Sequence, residues 1–347
     1  MEPIKIWDKF IGDGHRPYFV AELGTCHRGS MKIAKENAEA AVNAGADCIK
    51  TELFYETEVF HRSAIKVFKT RTENFEVPLI EHMRKYQFTL DEHHEIKKFC
   101  DELSVPFMAT AHDQKRVDFL VDIGAVAVKI ASPDIVFYPL ITYAARSGLV
   151  IFIDTGGAYQ YEIEMAVKVA RDAGCEQIIV NHSPDGHPSP ATKHNLRAIN
   201  HLKKILEIPI GFADHFDGYE MLYASIIAGA NTVEKPISEN RFIEECEHIW
   251  AISRDDLKEV ISKMNIFYDS LGEKHRQMEL GLRPENPNRV ALIANKDIFE
   301  GDEINLDNIT FGKPRLGIGV EFWDNIVGKS LSKFKKKGTY IQWDDIK

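Results

Sequence analysis

Between residues 18 and 237 the chain repeats one alternation: a short β-branched run, then an amphipathic segment that ends near glycine. The runs are "YFVAEL", "CIKTELF", "PFMATA", "AVKIAS", "VIFIDTG", "IIVNHS", "IGFADH" and "TVEKPI". Between them lie "MKIAKENAEAAVNAGA", "LDEHHEIKKFCDEL", "QKRVDFLVDIG", "PLITYAARSG", "EIEMAVKVARDAG" and "YEMLYASIIAGA", with apolar residues at helical spacing. The second of these is predicted to start at an Asp N-cap region. Strand, helix, glycine, repeated every 25 to 35 residues or so, is the signature of βα units. Eight such units predict an α/β fold of the closed (β/α)₈ (TIM) barrel type. The competitor is an open doubly wound sheet, but no GxGxxG turn follows any strand.

A further helix from about Arg254 to Leu271 would complete the barrel domain, residues 1–272. The segment 273–289 is polar, holds two prolines and reads as a linker. The tail, 290–347, has short alternating strands with Gly turns and reads as a small β-rich domain. The long segment after the second strand, "EVFHRSAIKVFKTRTENFEV", is either a lid carrying Lys66, Lys69 and Arg71 or a solvated loop.

The 347 residues carry 43 basic and 53 acidic side chains, a formal charge of −10, which argues against nucleic-acid or anionic-membrane partners. A hydrophobic share of 44% supports a sizeable core. No apolar run reaches the ~18 residues of a membrane span. The start "MEPIKIWDKFIGDG" has neither the basic region nor the apolar core of a signal peptide. The five cysteines, Cys26, Cys48, Cys100, Cys175 and Cys246, form no CxxC pair. A cytoplasmic location with reduced thiols is the expectation.

Barrel chemistry sits at the C-terminal ends of the strands. Those ends supply Glu22; Lys50 and Glu52; Thr110 and His112; Lys129 and Ser132; Asp154 and Thr155; Asn181, His182 and Ser183, then Asp185 and His187; Asp214 and His215; and Glu234 and Lys235. Polar residues at strand ends are ordinary, since strand ends meet water. Two lysines inside apolar strands, "CIKTE" and "AVKIAS", are not. A buried ammonium must meet an anion, either a protein carboxylate or a ligand phosphate or carboxylate.

These residues resemble the sialic acid synthases and their legionaminic and pseudaminic acid relatives. The likeness is carried by "VAELGTCHRGSMKIAKENAEAAVNAGADCIKTELF", "LDEHHEIKKFCDELSVPFMATAHD", "VKIASPDI", "DTGGA", "NHSPDGHPSP", "IGFADH", "AGANTVEKPI" and the tail from "RVALIANKDIFEGDEI" to "IVGKS". The resemblance implies a barrel followed by an antifreeze-like (SAF) domain, in a domain-swapped homodimer. It implies a condensation of phosphoenolpyruvate with an N-acylated hexose, giving a nine-carbon 2-keto acid, with Mn²⁺ or Mg²⁺ polarising the sugar aldehyde. Carried over residue by residue, Lys50, Thr110, Lys129, Ser132, Asp154 and Thr155 would surround phosphoenolpyruvate. Glu22, His215 and Glu234 would be catalytic, with His215 also a metal ligand. Glu52, Asp185, His187, Glu247, Lys313 and Arg315 would face the sugar.

Departures from the family pattern fall in the same pocket. The second metal histidine is Pro236, which cannot ligate through its side chain, so either Glu22, Glu234 or His187 completes the site with His215, or His215 is left as an acid/base or a relic. A phosphate-donor serine is Asp154, and further acidic replacements are Glu52 and Asp185. A carboxylate about 4 Å from a phosphate costs on the order of 4 kcal/mol at an effective dielectric near 20. Either Asp154 or Asp185 would impose that cost unless turned towards a lysine. Alternatively the added acids would gather around a metal or a cationic substrate group. Three readings follow: a synthase of this type, a divergent barrel enzyme that no longer uses phosphoenolpyruvate, or a catalytically silent sugar-binding relative.

Overall fold

The computed structural model describes residues 2–53, 61, 63–69, 72–272 and 289–347. Nearly all of the linker and Arg71 of the lid expectation lie outside the described residues. The chain divides into two compact units, Met1–Leu271 and Gly272–Lys347.

The first unit opens with an antiparallel hairpin, β1 (Ile4–Ile6) and β2 (Lys9–Ile11). The barrel strands β3 (Tyr18–Glu22) and β4 (Cys48–Leu53) follow. A second hairpin, β5 (Ile65–Lys69) and β6 (Asn74–Pro78), occupies much of the segment read as a lid or loop. The remaining barrel strands are β7 (Phe107–Ala111), β8 (Ala127–Ile130), β9 (Val150–Asp154), β10 (Ile178–His182), β11 (Ile210–Ala213) and β12 (Thr232–Ser238). Parallel pairing runs from β3 through these strands to β12, and β12 pairs back onto β3, so the eight close a ring. The expected barrel is the observed one, and a two-residue strand β13 (Ile252–Ser253) pairs in parallel with the end of β12.

Helices form where the apolar spacing placed them, at Met31–Ala44, Leu90–Glu102, Gln114–Asp122, Tyr138–Ala145, Gln160–Asp172, Glu220–Ile227 and Leu257–Asp269. The helix Leu90–Glu102 is capped differently from the expectation. Its N-cap is Thr89, whose hydroxyl accepts from the Glu92 amide while the Glu92 carboxylate accepts from the Thr89 amide. That reciprocal box leaves Asp91 free to complement the dipole in the first turn.

Alternation along the strands sorts the barrel into two cores. Tyr18, Val20, Cys48, Met108, Ala127, Val150, Phe152 and Ile179 face inward and pack with Ile4, Ile6 and Ile11 of the hairpin, which plugs the lower end. Burying those three isoleucines contributes roughly 1.5–3 kcal/mol each. Phe19, Ile49, Phe107, Val128, Ile151, Ile153, Val180, Phe212 and Val233 face outward, into the layer packed by helices. Midway up the inside, the Thr232 hydroxyl donates to the Asn181 side-chain oxygen at 3.1 Å. Gly211 is required beside this pair, because a Cβ there would lie 1.9 Å from the Thr232 oxygen.

In the second unit, β14 (Ala291–Ala294) pairs antiparallel with β15 (Ile309–Gly312). Leu292, Ile298, Ile304, Ile309, Ile318, Ile326, Leu331 and Ile341 make its small core. The buried Asp345 carboxylate is held by Lys335 at 2.7 Å and Lys333 at 3.0 Å.

Candidate active site

Two residues above the inward apolar layer, the same face of five of the strands turns polar. Val20 is followed on that face by Glu22, Cys48 by Lys50, Met108 by Thr110, Ala127 by Lys129 and Phe152 by Asp154. Glu234 joins them from β12. The result is a buried chain of alternating charge. The Lys50 ammonium donates to Glu22 and, at 2.8 Å, to Glu234. The Lys129 ammonium donates to the same Glu234 oxygen and lies 2.6 Å from Asp154.

Three carboxylates therefore share two ammoniums. Burial penalises every charge here, but Glu234 touches both lysines and wins. Burial pushes its carboxyl up, yet Lys129 and Lys50 outweigh that and bring it down to about 2. The excess negative charge falls on the ends of the chain. Burial raises Glu22 to about 8 against the opposing pull of Lys50. Burial also raises Asp154, against Lys129. Burial works against both ammoniums too, yet Glu22 and Glu234 hold Lys50 well above its ordinary value, and Asp154 and Glu234 raise Lys129.

Four buried atoms around this chain have no hydrogen-bond partner among the described residues: Thr110 Oγ1, Asp154 Oδ1, Glu234 Oε2 and His215 Nδ1. Buried polar atoms are ordinarily paired, so their convergence marks a place for a ligand. Burial, reinforced by His187 and Lys129, keeps His215 well below the ordinary imidazole value and therefore neutral. Its ring packs against His187 with centroids 4.1 Å apart, and both rings adjoin Trp250 at 6.2 and 5.5 Å. His187 was among the expected partners of His215, whereas Trp250 was not legible as a site feature, because it comes from a separate loop.

The other expected site residues divide by the direction they point. Glu52 ends the inward face of β4, half-buried. Ser132 accepts from the Gly156 amide at 2.8 Å. The Thr155 hydroxyl ties strands together, donating to the Asn181 carbonyl at 3.0 Å and accepting from the Ser183 amide at 3.2 Å. Asp185 turns out to solvent, 73% exposed and 3.4 Å from Lys193. Glu247 reaches the loop after β3, where its carboxylate accepts from the Thr25 amide at 2.6 Å. Gly24, with φ +45°, makes room for it, since a Cβ there would meet the Glu247 oxygen at 2.1 Å. Lys313 and Arg315 belong to the second unit, where Arg315 pairs with Glu321 at 2.5 Å.

Asp214 and Lys235 point the other way, out of the barrel. They pair with each other at 2.6 Å, the ammonium also donating to the Phe216 carbonyl at 3.0 Å. His194 lies 3.6 Å from Asp214.

The donors do not make a metal cage. Among the described residues no group of three or more His, Cys, Asp and Glu side chains is arranged to hold a metal ion. Pro236 stands in register with Glu22 on the neighbouring strand. The His187 and His215 rings lie at 39° to each other, and no third donor joins them in such a group among the described residues.

Residues 38–276 match the NeuB family model, and residues 289–347 match the SAF domain. The chain belongs to the NeuB family. This NeuB-family chain is 31% identical over its whole length to an uncharacterised protein of Methanocaldococcus jannaschii, 99% of which is covered. It is 23% identical to the N,N'-diacetyllegionaminic acid synthase of Legionella pneumophila, over 95% of this chain and 94% of the relative. Among solved structures, a sialic acid synthetase from Leptospira borgpetersenii superposes with TM-score 0.74 and 25% identity, covering 81% of this chain and 94% of that one.

Proposed function

We propose that this NeuB-family protein is a phosphoenolpyruvate-dependent condensing synthase. It joins the enol carbon of phosphoenolpyruvate to the aldehyde of an N-acylated hexose, releasing phosphate and a nine-carbon 2-keto sugar acid. The observation that carries the reading is the pair of buried ammoniums, Lys50 and Lys129, on the inward face of the barrel mouth beside the unpaired hydroxyl of Thr110. Fixed cations in a dry pocket are what a phosphate and a carboxylate require. Glu22 then stands beside the reacting carbons as the proton carrier, with Glu234 ionised between the two lysines. The family's names for its relatives favour the same acceptor class, and a homodimer in a cytoplasmic setting accords with it.

Incubation with phosphoenolpyruvate, Mn²⁺ and a panel of N-acylated hexoses tests this. Inorganic phosphate should appear with at least one sugar, and silence across the panel would sink the reading. One observation favours the second reading, a barrel enzyme that has given up phosphoenolpyruvate: Asp154 occupies Lys129, the cation a phosphate would use. A thermal shift decides between them, because ligand that binds only the folded state must stabilise it. Strong stabilisation by phosphoenolpyruvate alone removes the second reading.

A further inference from the structure

We propose that this pocket activates the acceptor aldehyde with a proton from the Glu22 carboxyl, where the family's pattern would use a divalent ion. The proposal rests on the condensing reading above and assigns the electrophile within it.

Three features of the pocket carry the inference. The position beside Glu22 on the neighbouring strand is Pro236, which has no donor. The two imidazoles present are tilted 39° to each other with centroids 4.1 Å apart, and no third His, Cys, Asp or Glu side chain among the described residues joins them in a group arranged to hold a metal ion. Glu22, Glu234 and Asp154 are each already in contact with an ammonium, so a dication brought among these three would sit against Lys50 and Lys129. What the pocket offers instead is a surplus acid. Glu22 gives one oxygen to Lys50 and keeps 9% of its side chain open to the mouth, against 3% for Glu234. Burial, with the nearby Glu234 charge adding to it, keeps its proton on to about pH 8, so at neutral pH it is a donor.

The step balances without a metal. The π pair between C3 and C2 of phosphoenolpyruvate forms the bond from C3 to the aldehyde carbon. The carbonyl π pair moves to its oxygen, which takes the Glu22 proton and becomes a hydroxyl. Water adds at the cationic C2 and returns a proton to Glu22. The C2–O bond to phosphate then breaks, the C2 hydroxyl proton goes to the departing phosphate, and C2 is left as the ketone. Lys50 and Lys129 hold the anionic donor throughout, and Glu234 stays ionised between them.

Two measurements on the full-length protein decide the matter. The first is Mn²⁺ binding, by electron paramagnetic resonance and calorimetry with the metal alone, on wild type and His215→Ala. Equal, non-stoichiometric binding by both is the expected result. A stoichiometric site that His215→Ala abolishes overturns the proposal, whether or not the enzyme turns over. The second is phosphate release by protein stripped with a chelator and checked for residual metal. Rate within about twofold of the untreated enzyme is expected, with Glu22→Gln at least a hundredfold slower and Glu22→Asp partly restored. Loss on stripping that Mn²⁺ reverses overturns the proposal. A Glu22→Gln protein that melts like wild type and turns over at the wild-type rate overturns it equally. If no sugar supports release with or without metal, the condensing reading fails, and the binding measurement still decides the metal question.

Discussion

The barrel holds two buried lysine–carboxylate assemblies within a few residues of each other, and they differ in balance. Outside the strands, one ammonium, Lys235, meets one carboxylate, Asp214, and a backbone carbonyl takes a second of its donors. The Asp214 carboxylate also accepts from the Phe216 amide at 2.9 Å. Inside the strands, two ammoniums meet three carboxylates, and four nearby polar atoms are left without partners. Both assemblies carry the desolvation cost of buried charge. Only the outer one is balanced, one ammonium to one carboxylate. Neighbouring residues of a strand such as Glu234 and Lys235 fall on opposite sides of that divide.

The largest expected effect strikes the inner assembly. Lys129→Met leaves Asp154 and Glu234 facing one remaining ammonium. It should lower stability by about 3–5 kcal/mol by denaturant unfolding. Phosphate release should fall by about 10²–10³-fold, since a fixed cation at the donor is lost. Lys235→Met should cost a similar ~3–5 kcal/mol of stability, yet the folded fraction should keep its KM for phosphoenolpyruvate. The double change Asp214→Leu/Lys235→Met should recover much of that loss, because no unpaired charge remains. If Lys235→Met raised KM as Lys129→Met does, the division into two assemblies would be wrong.

The family, the barrel and the strand ends were legible because they rest on order and period. Which face each strand-end residue takes was legible only in part. Alternation does separate Asp154 from Thr155 and Asp214 from His215, once an inward register is known, but register is set by pairing across the sheet. Partner choice was not legible at all. Lys129 lies opposite Phe152 in the pairing, and its ammonium reaches forward to Asp154 two residues on. The hairpin β1–β2 escaped notice because its strands are three residues each and its turn runs through Trp7 at φ 53°, with no glycine to announce it. Its "IKI" alternation was the available signal. The helix Arg197–Leu206 was likewise readable from its period, with Ile199, Leu202 and Leu206 buried.

Asp154→Ser sharpens the comparison from the inner side. It equalises the count at two carboxylates and two ammoniums and releases Lys129 towards a phosphate. At the strength of a carboxylate about 4 Å away, the ceiling is on the order of 10³ in affinity. A fall in KM for phosphoenolpyruvate of roughly tenfold or more is expected, read from initial-rate kinetics. An unchanged KM would mean that Asp154 never competes with the ligand.

The surplus also has a pH signature. Glu22 is raised from 4.5 to about 8 in the folded protein, so between those values the folded state holds a proton that the unfolded state has released. Stability from this group is therefore present at low pH and lost as pH rises through about 8. His27 and His248 act oppositely, since burial lowers them from 6.5 to about 3 and about 4. Their contribution is present above 6.5 and lost as pH falls towards those values. Thermal unfolding should therefore show a contribution that declines between pH 4.5 and about 8 and that Glu22→Gln removes, while the loss that the histidines cause below pH 4.5 stays.

Asp185 sets the lower bound. It was a candidate for the sugar and for the electrostatic penalty on phosphate, and it differs from Asp154 in a single respect, its surroundings. Its side chain is 73% exposed and its ion-pair partner, Lys193, is itself in solvent. Water screens such a charge, and exposed pairs contribute at most about 1 kcal/mol. Asp185→Asn should therefore change stability by no more than ~0.5 kcal/mol and leave the KM for phosphoenolpyruvate where it was. Its backbone is another matter. The Asp185 carbonyl accepts from the Ser189 hydroxyl at 3.0 Å, and the Ser189 amide donates to the His215 carbonyl at 2.9 Å, which pins the His187 loop to the end of β11. Ser189→Ala should consequently disturb turnover more than Asp185→Asn does, and steady-state kinetics on the two variants would rank them.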